Sequence, residues 1–375
     1  MKVQTYPPKN SQIHAYLLFF FICNVQIGVG IFSFQRYIFH VSKHDAWISV
    51  LIACLCAHAV LWLIIRMLNK YESADIFGIQ YDLFGKYIGT LFNCIYIIFY
   101  LLVSILIMRS YVLVIQVWMF PDMSSWLIVS LLAILIIYAG FGGVRVIIGM
   151  CLLGFVVILV TVIFCLVTLR YSIWTQLLPI MESNMKDILR GAFRMSFTLA
   201  GFEFIMLIYP YVRNKERAMY HSQFSLLTGN LIYLIIMILS VAYFSSSQLE
   251  RSIWPTFNML KILKFPFSER LEFIVISIWM LMVLTGILIN AWAISRGFKR
   301  MWNWNQKLVL LTVILIASTV TVMMEGRKNI DKLGEWVGLG SSVLSFLYPF
   351  LLSLIALIVL KVRARKAGDR GGGAS

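Results

Sequence analysis

The sequence predicts an all-α integral membrane protein of ten transmembrane helices, arranged as a five-plus-five inverted repeat with the first and sixth helices broken. Three observations predict it. Hydrophobic residues make up 61% of the 375 and charged residues only 13%, against about one quarter charged in soluble domains; mean hydropathy is +0.88. Apolar runs near the roughly 20 residues that cross a bilayer recur along the whole chain. Two of these runs, the first and the sixth, are interrupted by glycines, and the sixth also holds a carboxylate.

The runs lie at about 13–38, 46–67, 88–118, 125–142, 145–168, 191–212, 223–247, 271–295, 307–325 and 337–361. The fourth and fifth are divided only by Phe141-Gly142-Gly143-Val144-Arg145, and the glycines suit a tight helix hairpin. A single domain is expected over 1–362, with repeats at about 13–168 and 191–361. Residues 363–375, which end in a glycine-rich stretch, read as a disordered cytoplasmic tail. The run after the polar N-terminus is too long for a signal-peptide core and lacks a small-residue cleavage site, so it counts as the first span.

An even number of spans places both termini on one side. Eighteen Lys and Arg fall in the loops and flanks of that side, against twelve on the other. The short loop from Arg296 to Lys307 carries four cations and no acid. By the positive-inside rule both termini are cytoplasmic. The formal charge of +16 then belongs to loops facing anionic lipid, and no basic soluble domain exists to bind nucleic acid. On the outer side, the loop from Gln248 to Arg270 holds Phe257-Asn258-Met259-Leu260-Lys261-Ile262-Leu263, whose spacing suits a short helix lying on the outer mouth. All six cysteines fall inside spans, which argues against a disulfide framework; Cys54 and Cys56 point about 200° apart on a helix and do not suit a metal. Neither metal nor cofactor is expected.

Gln26-Ile27-Gly28-Val29-Gly30-Ile31-Phe32 interrupts the first span and Thr198-Leu199-Ala200-Gly201-Phe202-Glu203 the sixth. A carboxylate at bilayer depth costs roughly 3 kcal/mol or more, which marks Glu203 for function. Interrupted helices at matching positions of two inverted halves are the best sequence pointer to a transporter-type site. Unwound backbone frees N–H and C=O groups that lipid cannot satisfy. Gly28 and Gly30 let the chain leave helical geometry, with Val29 between them. The half-helix starting near Ile31 offers free N–H groups to a carboxylate. Carbonyls freed from Phe197 through Thr198, Leu199 and Ala200 to Gly201 suit an ammonium group. A zwitterion of amino-acid size satisfies both. The bland alternatives are close packing for the glycines and, for Glu203, capping of freed N–H groups without touching ligand.

Polar groups on the third and eighth spans supply the other walls: Tyr96, Tyr100 and Ser104 on one helical face, and Thr285 with Asn290. Such groups also commonly bond to their own helix. Arg109, late in the third span, reads as snorkelling to the outer interface, and Arg194 similarly. His58, alone in the second span, reads as a packing histidine.

Ile27-Gly28-Val29-Gly30-Ile31-Phe32 resembles the first-helix signature of the amino acid–polyamine–organocation (APC) transporter superfamily. Phe197 to Glu203, followed by Pro210 and Arg213-Asn214-Lys215-Glu216-Arg217, resembles its sixth-helix signature. A narrower likeness spans nearly the whole chain. Trp254-Pro255-Thr256, then Phe265-Pro266-Phe267-Ser268-Glu269-Arg270-Leu271-Glu272 leading to Ile278-Trp279, is similar to the B subunit of bacterial spore germinant receptors. That likeness implies a protein of the spore inner membrane, working with a larger A subunit and a lipoprotein C subunit. It implies sensing of small nutrients in a pocket at the two breaks. Some proton-coupled relatives carry a lysine in the fifth helix; residues 146–168 here contain no charge.

Two functions compete: a nutrient-sensing subunit that shifts its broken helices and signals through partners, or an amino-acid symporter or exchanger of the APC superfamily. Paired carboxylates, an HExxH motif or a Ser/His arrangement at depth would point to an enzyme, and the sequence has none.

Overall fold

The structure, a computed structural model, describes residues 2–261, 271–324 and 326–371. The helices in chain order are α1 (Leu17–Gln26), α2 (Phe34–Ser42), α3 (Ala46–Tyr71), α4 (Ile76–Trp118), α5 (Ser125–Phe141), α6 (Val144–Leu166), α7 (Met185–Leu199), α8 (Ile205–Ile208), α9 (Ala218–Tyr243), α10 (Ser246–Arg251), α11 (Pro255–Leu260), α12 (Leu271–Trp302), α13 (Gln306–Met323), α14 (Arg327–Ser341) and α15 (Tyr348–Gly371). Among the described residues, seven helical stretches are long and apolar enough to cross a membrane. An eighth arises if α7 and Phe202–Tyr211, bent by 46°, count together. The remaining apolar helices, α1 and α5, are shorter. The chain is an all-helical integral membrane protein.

Several boundaries fall where local chemistry places them. α5 stops at Phe141 and α6 begins at Val144, with Gly143 at φ +75° making the turn. α4 turns sharply at Gly85, φ +75°. The outer-loop apolar patch forms α11 through Leu260; its last residues, like Phe265–Arg270, lie outside the described residues. Helix extends further at the C-terminus than the composition suggests. α15 continues through 363–371, so the stretch read as a disordered tail is helical there, and 372–375 lie outside the described residues. A contact explains part of this: Arg363 Nη1 pairs with Asp82 Oδ2 at 2.8 Å, and that carboxylate also accepts from Tyr71 Oη at 2.8 Å.

α1 packs on α6 and α9, α12 on α4 and α6, and α3 on α7 and α9. The centre of the bundle is the segment after α7: every residue from Gly201 to Val212 is buried. At one end, the N-terminal segment is tied down. Thr5 N donates to Ser73 O (2.8 Å), Ile13 N to Tyr211 O (2.9 Å), and Arg213 N to Ile13 O (2.9 Å). The fully buried Asp75 carboxylate holds that end together. It accepts from Gly78 N (2.9 Å), pairs with Arg300 Nε (2.9 Å) and lies 3.4 Å from Arg296 Nη2. Arg300 Nη2 in turn donates to Lys2 O (2.7 Å) and Val3 O (3.1 Å). At the opposite end, Asp45 accepts from Met181 N (2.6 Å) and Ser183 N (2.8 Å). Lys43 beside Glu250 there holds that carboxyl below its ordinary range. Because the folded pKa is depressed, this contact's contribution is present at neutral pH and is lost as pH falls below the usual carboxylate range.

Removing one member of a buried ion pair leaves the other charge uncompensated, at about 3–5 kcal/mol. Asp75→Ala is therefore expected to lower the thermal unfolding midpoint of the detergent-solubilised protein sharply. An unchanged midpoint would show that Arg296 and Arg300 are held without Asp75.

Candidate functional site

α1 ends at Gln26 and the chain stays out of α-helical geometry until Phe34. Ile27 has ψ 80°, Gly28 has ψ −157°, and Val29–Phe32 form a single 3₁₀ turn. Carbonyls freed on either side are met by side chains from distant elements. Tyr233 Oη of α9 donates to Gln26 O at 3.0 Å. Thr256 Oγ1 of α11 donates to Ile31 O at 2.8 Å and accepts from Gln35 Nε2 at 2.6 Å. Gln35 and Thr256 are both fully buried. This is how backbone at membrane depth avoids an unpaired polar group when helix bonds are lost.

The second interruption follows α7. Ala200 is extended (ψ 151°), Gly201 has φ +124°, and Phe202–Phe204 make a 3₁₀ turn before α8. At Gly201 the positive φ excludes L side chains, and a Cβ there would lie 2.8 Å from Val25 O. The freed Gly201 N donates to Glu203 Oε2 at 2.7 Å, and Glu203 is 2% exposed. Glu203 thus caps the interruption it belongs to, which is the structural role that competed with ligand contact. A third irregular stretch, the π turn Ser342–Leu347 before α15, packs against this region. Ser196 Oγ and Ser342 Oγ lie 2.6 Å apart, the Phe202 and Phe346 rings meet edge-on at 5.0 Å, and Tyr96 Oη donates to Leu344 O at 2.7 Å. Single π turns within helices are frequent at functional sites.

The two interruptions touch. A Cβ on Gly30 would sit 3.1 Å from Thr198 Cγ2, and Gly201 abuts Val25. Gly28, Val29, Gly30, Ile31, Thr198, Leu199, Ala200, Gly201 and Glu203 therefore share one neighbourhood. Phe197 lies apart, its ring against Gly338 of α14. Tyr100 faces the second interruption, its ring 4.6 Å from that of Phe204. Thr285 gives its hydroxyl to Leu281 O in its own helix (2.7 Å), Ser104 to Tyr100 O (2.9 Å), and Asn290 Nδ2 donates to Gly286 O (2.8 Å). Arg109 is buried, and its Nη1 reaches Ser125 Oγ at 3.3 Å, at the start of α5 just past the loop that ends α4. Arg194 Nη1 donates to Tyr37 O at 3.0 Å. His58 bonds to Gln223: Nδ1 lies 2.5 Å from Oε1, and Gln223 Nε2 donates to His58 O at 3.1 Å.

Beside the first interruption lies a cavity of about 190 Å³, walled by Val29, Gly30, Ser33, Ser110, Tyr111 and Trp279 among others. It is smaller than the roughly 300–1,000 Å³ of drug-sized pockets, which suits a small metabolite. None of the described residues that line it is charged. Its cover is α11: Phe257 stacks on Phe32 at 3.8 Å, and Trp279 meets Phe32 edge-on at 4.4 Å. Of the residues singled out from sequence, Val29 and Gly30 line it, whereas Tyr96, Tyr100 and Thr285 do not. Phe257, Thr256, Gln35 and Trp279 were not singled out as site residues. A signal was available for Gln35, a glutamine inside a long apolar run.

Comparison with known proteins adds the following. The sequence profile of a family described as "Spore germination protein" matches residues 12–330. "Spore germination protein GerQB" of Bacillus cereus is 32% identical over 356 residues, covering 95% of this chain and 99% of that protein. "Spore germination protein YndE" of Bacillus subtilis is 18% identical, covering 92% and 95%. Among solved structures, a Na⁺-coupled sialic acid symporter in a substrate-bound outward-open state superimposes with a TM-score of 0.63 at 12% identity, covering 88% of this chain and 77% of that one. A nucleobase–cation-symport-1 family transporter in a closed conformation gives 0.60 at 10% identity, covering 96% and 92%. At these identities the likeness is one of fold.

Thr256→Val strips a hydroxyl from two buried partners, Gln35 Nε2 and Ile31 O, at roughly 1–3 kcal/mol for each group left unpaired. It is expected to loosen α11, so that a cysteine placed at Ser110 reacts several-fold faster with a membrane-impermeant maleimide. An unchanged labelling rate would separate α11 from closure of the cavity.

Proposed function

This chain belongs to the spore germination protein family, and on that premise we propose that it is the membrane subunit through which a germinant receptor senses a small nutrient. The observation that carries the proposal is the meeting of two helix interruptions, Gly30 against Thr198 and Gly201 against Val25, in the buried centre of the bundle. In this reading the chain is one domain over 1–362, with ten spans and inverted repeats at about 13–168 and 191–361. α1 and α2 form the broken first span, and α7 with Phe202–Tyr211 the broken sixth. The bond between Ile13 and Tyr211 supports that pairing, since it joins the start of one broken span to the end of the other. Both termini face the cytoplasm of the spore inner membrane, and α11 covers the outer side.

The nutrient, with an amino acid as first choice, sits against Gly28, Val29, Gly30 and Ile31 on one side. On the other lie Thr198, Leu199, Ala200, Gly201 and Glu203, with the Phe197 carbonyl behind them and Tyr96, Tyr100 and Thr285 as walls once the bundle opens. Free N–H groups before α2 take its carboxylate. Binding prefers a state in which the broken segments have shifted, and only that difference in affinity moves the equilibrium. The shift passes to the receptor's A and C subunits. The fold of Na⁺-coupled symporters favours a second reading, an amino-acid symporter or exchanger.

Three outcomes test this. Gly30→Leu, which drives a bulky side chain into Thr198, is expected to abolish the spore's response to its nutrient while immunoblots still find the protein in the membrane; a normal response would reduce the interruption to packing. Glu203→Gln is expected to move the half-maximal nutrient concentration, or its pH dependence, by about tenfold, equivalent to ~1.4 kcal/mol. An identical dose–response and pH profile would confine Glu203 to its bond with Gly201. Purified protein in liposomes is expected to bind labelled nutrient without accumulating it, and robust uptake would favour the symporter.

A further inference from the structure

A second cavity, of about 360 Å³, opens beside α10 and α11. Trp118, Arg251, Ser252, Trp254, Asn258 and Lys261 are among its walls. We propose that it is a binding site for a small organic carboxylate with an apolar flank, distinct from the interruption site. Three features carry this.

The first is charge. Arg251 at the end of α10 and Lys261 just past α11 both line the cavity, and among the described residues its lining includes no carboxylate. The acid next to Arg251 in sequence, Glu250, is already committed to Lys43. Asn258 and Ser252 are paired with each other, Nδ2 to Oγ at 2.7 Å, and leave the two cations as the unbalanced element. A guanidinium fork grips a carboxylate through two parallel bonds, and an ammonium adds a point charge.

The second is the indole of Trp118. Lys261 Nζ lies 4.3 Å from its ring centroid, so the cation is held over the cavity wall. The indole faces of Trp118 and Trp254, 6.3 Å apart and inclined at 62°, supply the apolar surface for the flank.

The third is position. Trp254 lines this cavity and also the 190 Å³ cavity beside Gly30. Trp118 further contacts Phe257, the cover of that inner cavity, with ring centroids 5.5 Å apart. An acid held between Arg251 and Lys261 thus sits directly above the helix that closes the first interruption. The site concentrates carboxylate-bearing solutes at the mouth, and its occupancy is sensed by α11 through Trp118 and Trp254. Both cations are exposed, so binding weakens with rising salt.

The probe is benzoate, with the isosteric neutral benzamide and inorganic phosphate as controls, titrated calorimetrically into the full chain purified in detergent. Benzoate is expected to bind, at least tenfold more tightly than benzamide, and to weaken at high ionic strength. The Arg251→Gln/Lys261→Gln double variant, altered only at exposed positions, is expected to lose at least tenfold, and Trp118→Phe several-fold, with unchanged unfolding midpoints. Gly30→Leu is expected to leave benzoate binding intact, so the outcome is independent of whether the interruptions hold a nutrient. No benzoate binding, equal binding by the double variant, or equal binding of benzamide would overturn the proposal. So would phosphate binding as tightly as benzoate, which would make the cavity a seat for lipid phosphate.

Discussion

The structure depends on one constraint: inside a bilayer every peptide N–H and C=O must find a partner within the protein. Most of the chain meets it by staying helical, but the segments at Ile27–Ser33 and Ala200–Phe204 do not. Side chains complete them. Tyr233 and Thr256 take the carbonyls of Gln26 and Ile31, tying the first stretch to α9 and α11, and Glu203 takes the N–H of Gly201 within the second. Unwinding therefore becomes a joint whose closed position is fixed by a few named hydrogen bonds.

The two interruptions are completed differently, and the difference matters for how the bundle could respond to a ligand. The second is closed from within its own segment by Glu203 and is buried on all sides through Val212. The first is closed from outside its segment by α11, a short helix carried on a loop. The Phe32–Phe257 stack and the Thr256 bonds all run through that one short element, which also packs on α6, α9 and α12. The cavity beside Gly30 lies directly beneath it. A ligand reaching the first interruption from the α11 side must displace aromatic surface, whereas one approaching Glu203 must part the bundle.

The two ends of the bundle are secured by charge in contrasting surroundings. Asp75 with Arg296 and Arg300 is buried and draws the N-terminal segment onto the helix ends through Lys2 O and Val3 O. Lys43 and Glu250 at the other end are partly exposed, where an ion pair contributes little. The buried ion pair thus lies at the end away from α11, and both cavities lie on the α11 side.

Much of this was legible in the sequence. The apolar runs have the length a bilayer demands, and Gly142-Gly143 marks the α5–α6 turn because only glycine adopts φ +75° without strain. Gly28, Gly30, Gly201 and Glu203 located both interruptions, since lipid gives an ordinary helix no reason to hold them. What the sequence left open is where each side chain points and what it meets. Tyr96 finds Leu344, Thr256 finds Ile31 and Gln26 finds Asn230, each more than 200 residues away. Thr285 and Asn290 turn onto their own helix, and Arg109 meets Ser125 at the start of α5. Helical periodicity fixes the spacing of residues on a face but not the rotation of that face against its neighbours. Packing of the whole bundle sets that rotation, and so only the tertiary structure placed α11 over the first interruption and opened a cavity there.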